Sequence, residues 1–162
     1  MGGEQIEKNL NFEEKKQELL GFLQSKDNAI MVLATSRNDR VLARNVLIAS
    51  HGLDLYFFTW GHSRKCAQIS ANPRVALCRD GVQIEGVAEI LGDLIAEKTK
   101  EYTDVIRKKF PEAIARWEHR PGMVVVKVRP TCVVIGGSTD EPSLEFLDLE
   151  NETAYTERWA HY

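Results

Sequence analysis

The stretch Arg44–Pro73, RNVLIASHGLDLYFFTWGHSRKCAQISANP, decides both the fold and the site. A strand holding an arginine among apolar residues returns through a turn and a second strand to a helix that opens Ser63-Arg64-Lys65. The unpaired N–H groups of a helix's first turn already carry partial positive charge, so acids suit that position and two adjacent cations there need an anion to offset them. A bound phosphate meets that need.

Arg44 points the same way from the strand before. Period-two alternation over Leu42–Ile48 sets Arg44 on one face with Leu42, Val46 and Ile48, and sets Ala43, Asn45 and Leu47 on the other. Both faces are largely apolar, and a guanidinium on such a strand is costly unless paired; its planar fork suits phosphate or carboxylate. A lone arginine can also snorkel to water or pair with one of the chain's many acids, so Arg44 by itself leaves both readings open.

Arg44-Asn45-Val46-Leu47, then Phe57-Phe58-Thr59, then Ser63-Arg64-Lys65 and Asn72-Pro73-Arg74-Val75-Ala76-Leu77, in this order and spacing, resemble the FMN-binding split-barrel family whose best-known member is pyridoxamine 5'-phosphate oxidase. The similarity runs from about Ala29 to Leu91 and more loosely over Met123–Gly136. It implies a mainly β fold, an antiparallel FMN-binding split β-barrel with flanking α-helices, and FMN as cofactor. It also implies a homodimer with FMN at the subunit interface. In the family the R-x-V-L arginine and the S-R-K helix start hold the FMN phosphate while the strand backbone runs beside the flavin ring. Carried over, the implied cofactor residues are Arg44, Asn45, Val46, Leu47, Phe58, Thr59, Ser63, Arg64 and Lys65.

The departures bear on the substrate. The family's R-x-V-L-L-K segment ends in a lysine that helps with the substrate, where this chain has Ala49, and a family glutamine is replaced by Gly81. The tyrosine, R-P-x-S-like and R-L-x elements that contact pyridoxal phosphate have no convincing match. Tyr102 and Arg107 stand at the wrong spacing, and the chain ends Thr156-Glu157-Arg158-Trp159-Ala160-His161-Tyr162. Vitamin B6 oxidation is therefore not expected.

Composition bounds the rest. With 162 residues and 43% hydrophobic content the chain can bury a sizeable core, and one domain over 1–162 is expected. A net charge of −3 gives no general attraction to nucleic acid or anionic membrane. No signal-like segment or bilayer-length apolar run is visible, so no membrane association and a cytoplasmic location are expected. The sequon Asn151-Glu152-Thr153 is then idle. Cys66, Cys78 and Cys132 form no CxxC pair and read as reduced core residues, while His62 and Cys66 lack further ligands, so no metal site is expected.

The pattern predicts an amphipathic helix at about 12–24 with Leu19, Leu20 and Leu23 as its stripe. Strands follow at Ala29–Ser36, Val41–Ser50 and Leu55–Thr59, joined by turns at Arg37–Arg40 and His51–Asp54. Ser63 caps a helix that stops before Asn72-Pro73. A hairpin of Arg74–Cys78 and Val82–Leu91, a helical segment from Ala96 to Trp117 broken at Phe110-Pro111, and a strand Met123–Ile135 with Pro130 at an edge or bulge complete the body. The C-terminal extension, about 138–162, carries Tyr155, Trp159 and Tyr162 at helical spacing, which predicts a docked terminal helix ahead of stacking on a flavin or a neighbouring subunit.

Two functional classes fit: an FMN-dependent oxidoreductase acting on a small-molecule redox substrate, or a non-catalytic flavin-binding stress-response module. A split barrel that exchanges the ligand for a deazaflavin or haem is a third. No side chain is nominated as catalytic, because a flavin carries its own redox chemistry.

Overall fold

The computed structural model describes residues 6–136 and 143–158. The elements in chain order are β1 (Ile6–Leu10), α1 (Phe12–Gln24), β2 (Ile30–Arg37), β3 (Arg40–Leu47), β4 (Ala49–His51), β5 (Asp54–Trp60) and α2 (Arg64–Ala71). They continue with β6 (Arg74–Arg79), β7 (Val82–Asp93), α3 (Lys100–Lys109), α4 (Pro111–Trp117), β8 (Met123–Gly136), β9 (Ser143–Asp148) and β10 (Thr153–Arg158).

Turn chemistry sets the hairpins. Asn38 and Asp39 both adopt positive φ, 50° and 60°, as do Asp80 and Gly81, 48° and 81°. Paired left-handed residues match the twist of two-residue hairpins, and Asn, Asp and Gly tolerate that geometry best. These turns join β2 to β3 and β6 to β7 in antiparallel ladders. Asn11 caps α1 by accepting from the Glu14 N–H at 3.1 Å, and the helix buries Leu19 and Leu23, one turn apart.

The sheet runs β1-β10-β9-β8-β7-β6-β2-β3, and β5, carrying β4, pairs back onto β8. Strands β5, β8, β7, β6, β2 and β3 thus form a ring that is open between β3 and β5, where no ladder joins them. This is the split barrel that the resemblance implies. Phe57, Leu33, Leu55, Leu77 and Ile84 are fully buried within it. A second cluster, built on Ala49, Tyr56, Leu94, Ile106, Ile114 and Val125, packs α3 and α4 against the outside of β5 and β8.

Along one edge β8 first pairs β5, from Met123 to Val128, and then β9, from Cys132 to Gly136. Pro130 sits at this change of partner, where its missing N–H costs least. On the other edge Glu85 pairs Cys132 while Gly86 pairs Pro130, so Thr131 is the extra residue of a bulge. Gly86 permits the close approach: a Cβ there would lie 2.8 Å from the Arg129 carbonyl oxygen.

Three readings need correction. The strand expected over Val41–Ser50 is two strands, because Ile48 and Ala49 are both buried; consecutive buried residues break the alternation, and the Ile48 N–H bonds the Ala29 carbonyl at 2.8 Å as the chain turns into β4. The expected terminal helix is instead the β9–β10 hairpin, with Tyr155 stacked on Phe146 across the strands at 5.2 Å; Trp159 and Tyr162 lie outside the described residues. β1, which pairs β10, had no counterpart in the sequence reading.

Candidate functional site

β3, β5 and α2 bring together Arg44, Thr59, Ser63, Arg64 and Lys65 at the open side of the ring. Arg44 lies on the inward face of its edge strand, half-buried between Leu42 and Val46. Its Nη1 donates to the Thr35 hydroxyl at 2.7 Å and to the Leu33 carbonyl at 3.1 Å, and Nη2 reaches the Gln68 Oε1 at 3.5 Å. The Thr35 hydroxyl donates in turn to Gln68 Oε1 at 2.6 Å, and Gln68 Nε2 donates to the Arg40 carbonyl at 3.1 Å. Thr35 and Gln68 are 1% and 6% exposed, so this network is sheltered from water and orients the guanidinium. Part of the five-donor fork is left for something else.

The turn Trp60-Gly61-His62-Ser63 ends β5, with the Ser63 N–H on the Trp60 carbonyl at 3.0 Å, and α2 begins at once. The Ser63 side chain caps the helix through the Cys66 N–H at 3.5 Å. Lys65 folds back to donate to the Thr59 hydroxyl at 2.9 Å. The first turn of α2 holds no acid.

The electrostatics are those of an unbalanced site. Among the described residues no ion pair involves Arg44, Arg64 or Lys65. Burial, followed by the charge of Arg44, lowers the Lys65 pKa below the ordinary lysine value. Burial, followed by the charge of Arg64, lowers that of Arg44. Like charges are gathered in a partly dry place, an arrangement that an anion would offset.

The other residues implied by the resemblance are placed differently. Val46 packs against the barrel core and Leu47 is half-buried, whereas Asn45 is exposed on the outer face of β3. Phe58 and Trp60 lie on the face of β5 away from Thr59, packed on the second cluster with Tyr56. Trp60 contacts His62 and, edge-on at 6.0 Å, Trp117. Thr35 and Gln68 escaped the sequence reading; the available signal was a threonine at an inward position of β2, in phase with Met31 and Leu33.

A sequence model of the family described as Pyridoxamine 5'-phosphate oxidase matches residues 16–134. The chain belongs to the pyridoxamine 5'-phosphate oxidase family. Its match takes in every residue of the Arg44–Lys65 cluster and stops before β9. Among solved structures of similar fold, General Stress Protein 26 of Bacillus anthracis is 26% identical, with a TM-score of 0.61 over 84% of this chain and 99% of that one. An FAD-binding protein of Mesorhizobium loti is 22% identical, TM-score 0.58, over 72% and 90%. The haem storage protein of Vibrio cholerae is 15% identical, TM-score 0.59, over 70% and 88%. The last two likenesses show the fold alone. No curated protein matches the chain.

Proposed function

We propose that the chain binds FMN and works as an FMN-dependent oxidoreductase on a small-molecule redox substrate in the cytoplasm. The observation that carries this reading is the half-buried Arg44–Lys65 cluster, to which no carboxylate among the described residues is paired. The residues present fit the phosphate of FMN. Arg44 and Lys65 would each give it a charge-assisted hydrogen bond, Thr59 holds Lys65 in place, and the free N–H groups after Ser63 add the helix's positive end. Asn45, Val46, Leu47 and Phe58 enter the reading through the family, as strand residues beside the ring. When bound, the flavin would supply two-electron redox chemistry, leaving the protein to orient ligands and control access of water.

A homodimer belongs to the same proposal. Ile30, Val32 and Val41 are 46%, 41% and 65% exposed on the outer face of β2 and β3, an apolar surface of the kind that a second subunit covers. The same strands carry Arg44 on their inner face. Light scattering of the purified protein measures the assembly directly.

The substrate is not expected to be pyridoxamine 5'-phosphate. Ala49, which stands where the oxidases have a lysine, is 1% exposed and packs in the second cluster, and its methyl group offers a substrate no ammonium. Robust turnover of pyridoxamine 5'-phosphate would contradict this reading.

An absorption spectrum of the untagged protein, with the mass of any released cofactor, tests the flavin. A flavin spectrum with the mass of FMN supports it; a haem spectrum, or a colourless protein that also fails to bind added FMN, rejects it. The 26% identity to a general stress protein over 84% of the chain favours a second reading, a flavin-binding protein without turnover. Oxidation of a reduced nicotinamide by the FMN-loaded protein separates the two.

A further inference from the structure

A second group of cations lies beside the Arg44 cluster and shares Arg64 with it. Arg37 and Arg40 face each other across the β2–β3 hairpin as a register pair. Like charges directly opposite on neighbouring strands repel. Arg64 opens α2, where the helix's own field disfavours a cation. These two unfavourable placements, one on a hairpin and one on a helix, converge: the three arginines line a single cavity of about 340 Å³, with Leu42 and Gln68 among its walls. Among the described residues no carboxylate lines it, and Asp39 instead borders the neighbouring hollow along the same hairpin. Arg37, Arg40 and Arg64 join no ion pair among the described residues.

The cavity is continuous with the first cluster through one side chain. Gln68 accepts from Arg44 and Thr35 with its oxygen and donates to the Arg40 carbonyl with its nitrogen. Arg64 is close enough to act on the charge of Arg44. Whatever anion rests on Arg44 and Lys65 therefore has a second, arginine-lined hollow next to it.

We propose that Arg37, Arg40 and Arg64 form a second phosphate subsite, which takes a nucleotide phosphate ester next to the flavin phosphate. The inference rests on the flavin reading of the Arg44 cluster. The phosphate has two sources: the flavin itself, bound as a dinucleotide, or a pyridine dinucleotide phosphate bound alongside FMN. Guanidinium forks matched to phosphate oxygens serve either.

The test uses the double variant Arg37→Ser, Arg40→Ser. Both side chains are exposed, and the Arg40 carbonyl that Gln68 uses is retained. FMN and FAD are titrated into flavin-stripped wild-type and variant protein, and NADP+ and NAD+ into the FMN-loaded forms. Loss of charge-assisted bonds predicts at least about a tenfold loss of affinity for the ligand that uses the subsite. FMN affinity is expected to stay within about twofold, because its phosphate bonds come from Arg44 and Lys65. A selective loss for FAD assigns the phosphate to the flavin; a selective loss for NADP+, with NAD+ unaffected, assigns it to the second nucleotide. Unchanged binding of both FAD and NADP+, or a parallel loss of FMN, overturns the subsite. Wild-type protein that binds no flavin at all removes the flavin reading and the subsite with it, a result distinct from FMN binding that persists without selectivity.

Discussion

The two ends of β5 hold two lysines in opposite states. At its start, Lys127 from the neighbouring β8 meets Asp54 at 2.8 Å, and that hydrogen bond raises its pKa above the ordinary value. At its end, Lys65 donates to the Thr59 hydroxyl and meets no acid among the described residues, and burial together with Arg44 lowers its pKa. Both ammonium groups are partly shielded, so burial alone does not distinguish them. What differs is the presence of an acid: one charge is offset within the fold, and the other would be offset by the ligand proposed for it.

The largest effect is expected from deleting the ready charges. Arg44→Ala or Lys65→Ala should weaken FMN binding by about tenfold to a hundredfold, the range for one hydrogen bond to a charged group. Lys127→Ala should leave FMN affinity unchanged and cost at most about 1 kcal/mol of stability, as a partly exposed ion pair does. Equal loss of FMN affinity in the Lys127 variant, read by fluorescence titration, would break the comparison.

A smaller effect is expected from the residues that hold Arg44. Thr35→Val keeps the shape but removes the hydroxyl between Arg44 and Gln68. Leaving these buried groups underbonded should cost about 1–3 kcal/mol by denaturant unfolding. FMN binding should weaken only severalfold, because the phosphate-facing donors remain. Affinity loss as large as that of Arg44→Ala would make Thr35 a ligand contact in its own right.

The smallest effect sharpens the comparison through pH. A lysine with a lowered folded pKa opposes folding while it is charged, so its penalty is lifted as pH rises from that lowered value toward the unfolded value of 10.5. Lys127 behaves oppositely: its contribution is fully present below 10.5 and is lost as pH climbs through its raised folded value. Unfolding of the ligand-free protein across this alkaline window should therefore show a stabilising trend that Lys65→Met removes and a destabilising one that Lys127→Met removes. Identical pH profiles for the two variants would show that the lysines do not differ as described.

Much of this was legible in sequence where the determinants are local. Asn38-Asp39 and Asp80-Gly81 mark hairpins by their tolerance of positive φ, Ser63 marks a helix start, and α1 has the bounds that its apolar stripe predicts. The charge pattern of Arg44 with Ser63-Arg64-Lys65 drew attention to the cationic cluster for the same reason. What escaped depends on distant partners. β1 has five residues and gains its order from β10 at the other end of the chain. The tyrosine of β10 fits a helical spacing as well as a strand, and its pairing and stack with Phe146 across β9 choose between them. A nearer clue was available in the turn, where Asp148 accepts from the Glu150 and Asn151 N–H groups. Gln68 reads as an ordinary helix residue until β2 and β3 are folded against it.

The change of partner along β8 has a consequence for how the molecule comes apart. The barrel strand β5 depends on the first half of β8, and the β9–β10 hairpin with β1 depends on the second, with Pro130 between. The hairpin can therefore leave without disturbing the pairing that supports Thr59 and α2. In amide hydrogen exchange, β9 and β10 should open together and ahead of β5 and β7, as a separate cooperative unit hung on a shared strand.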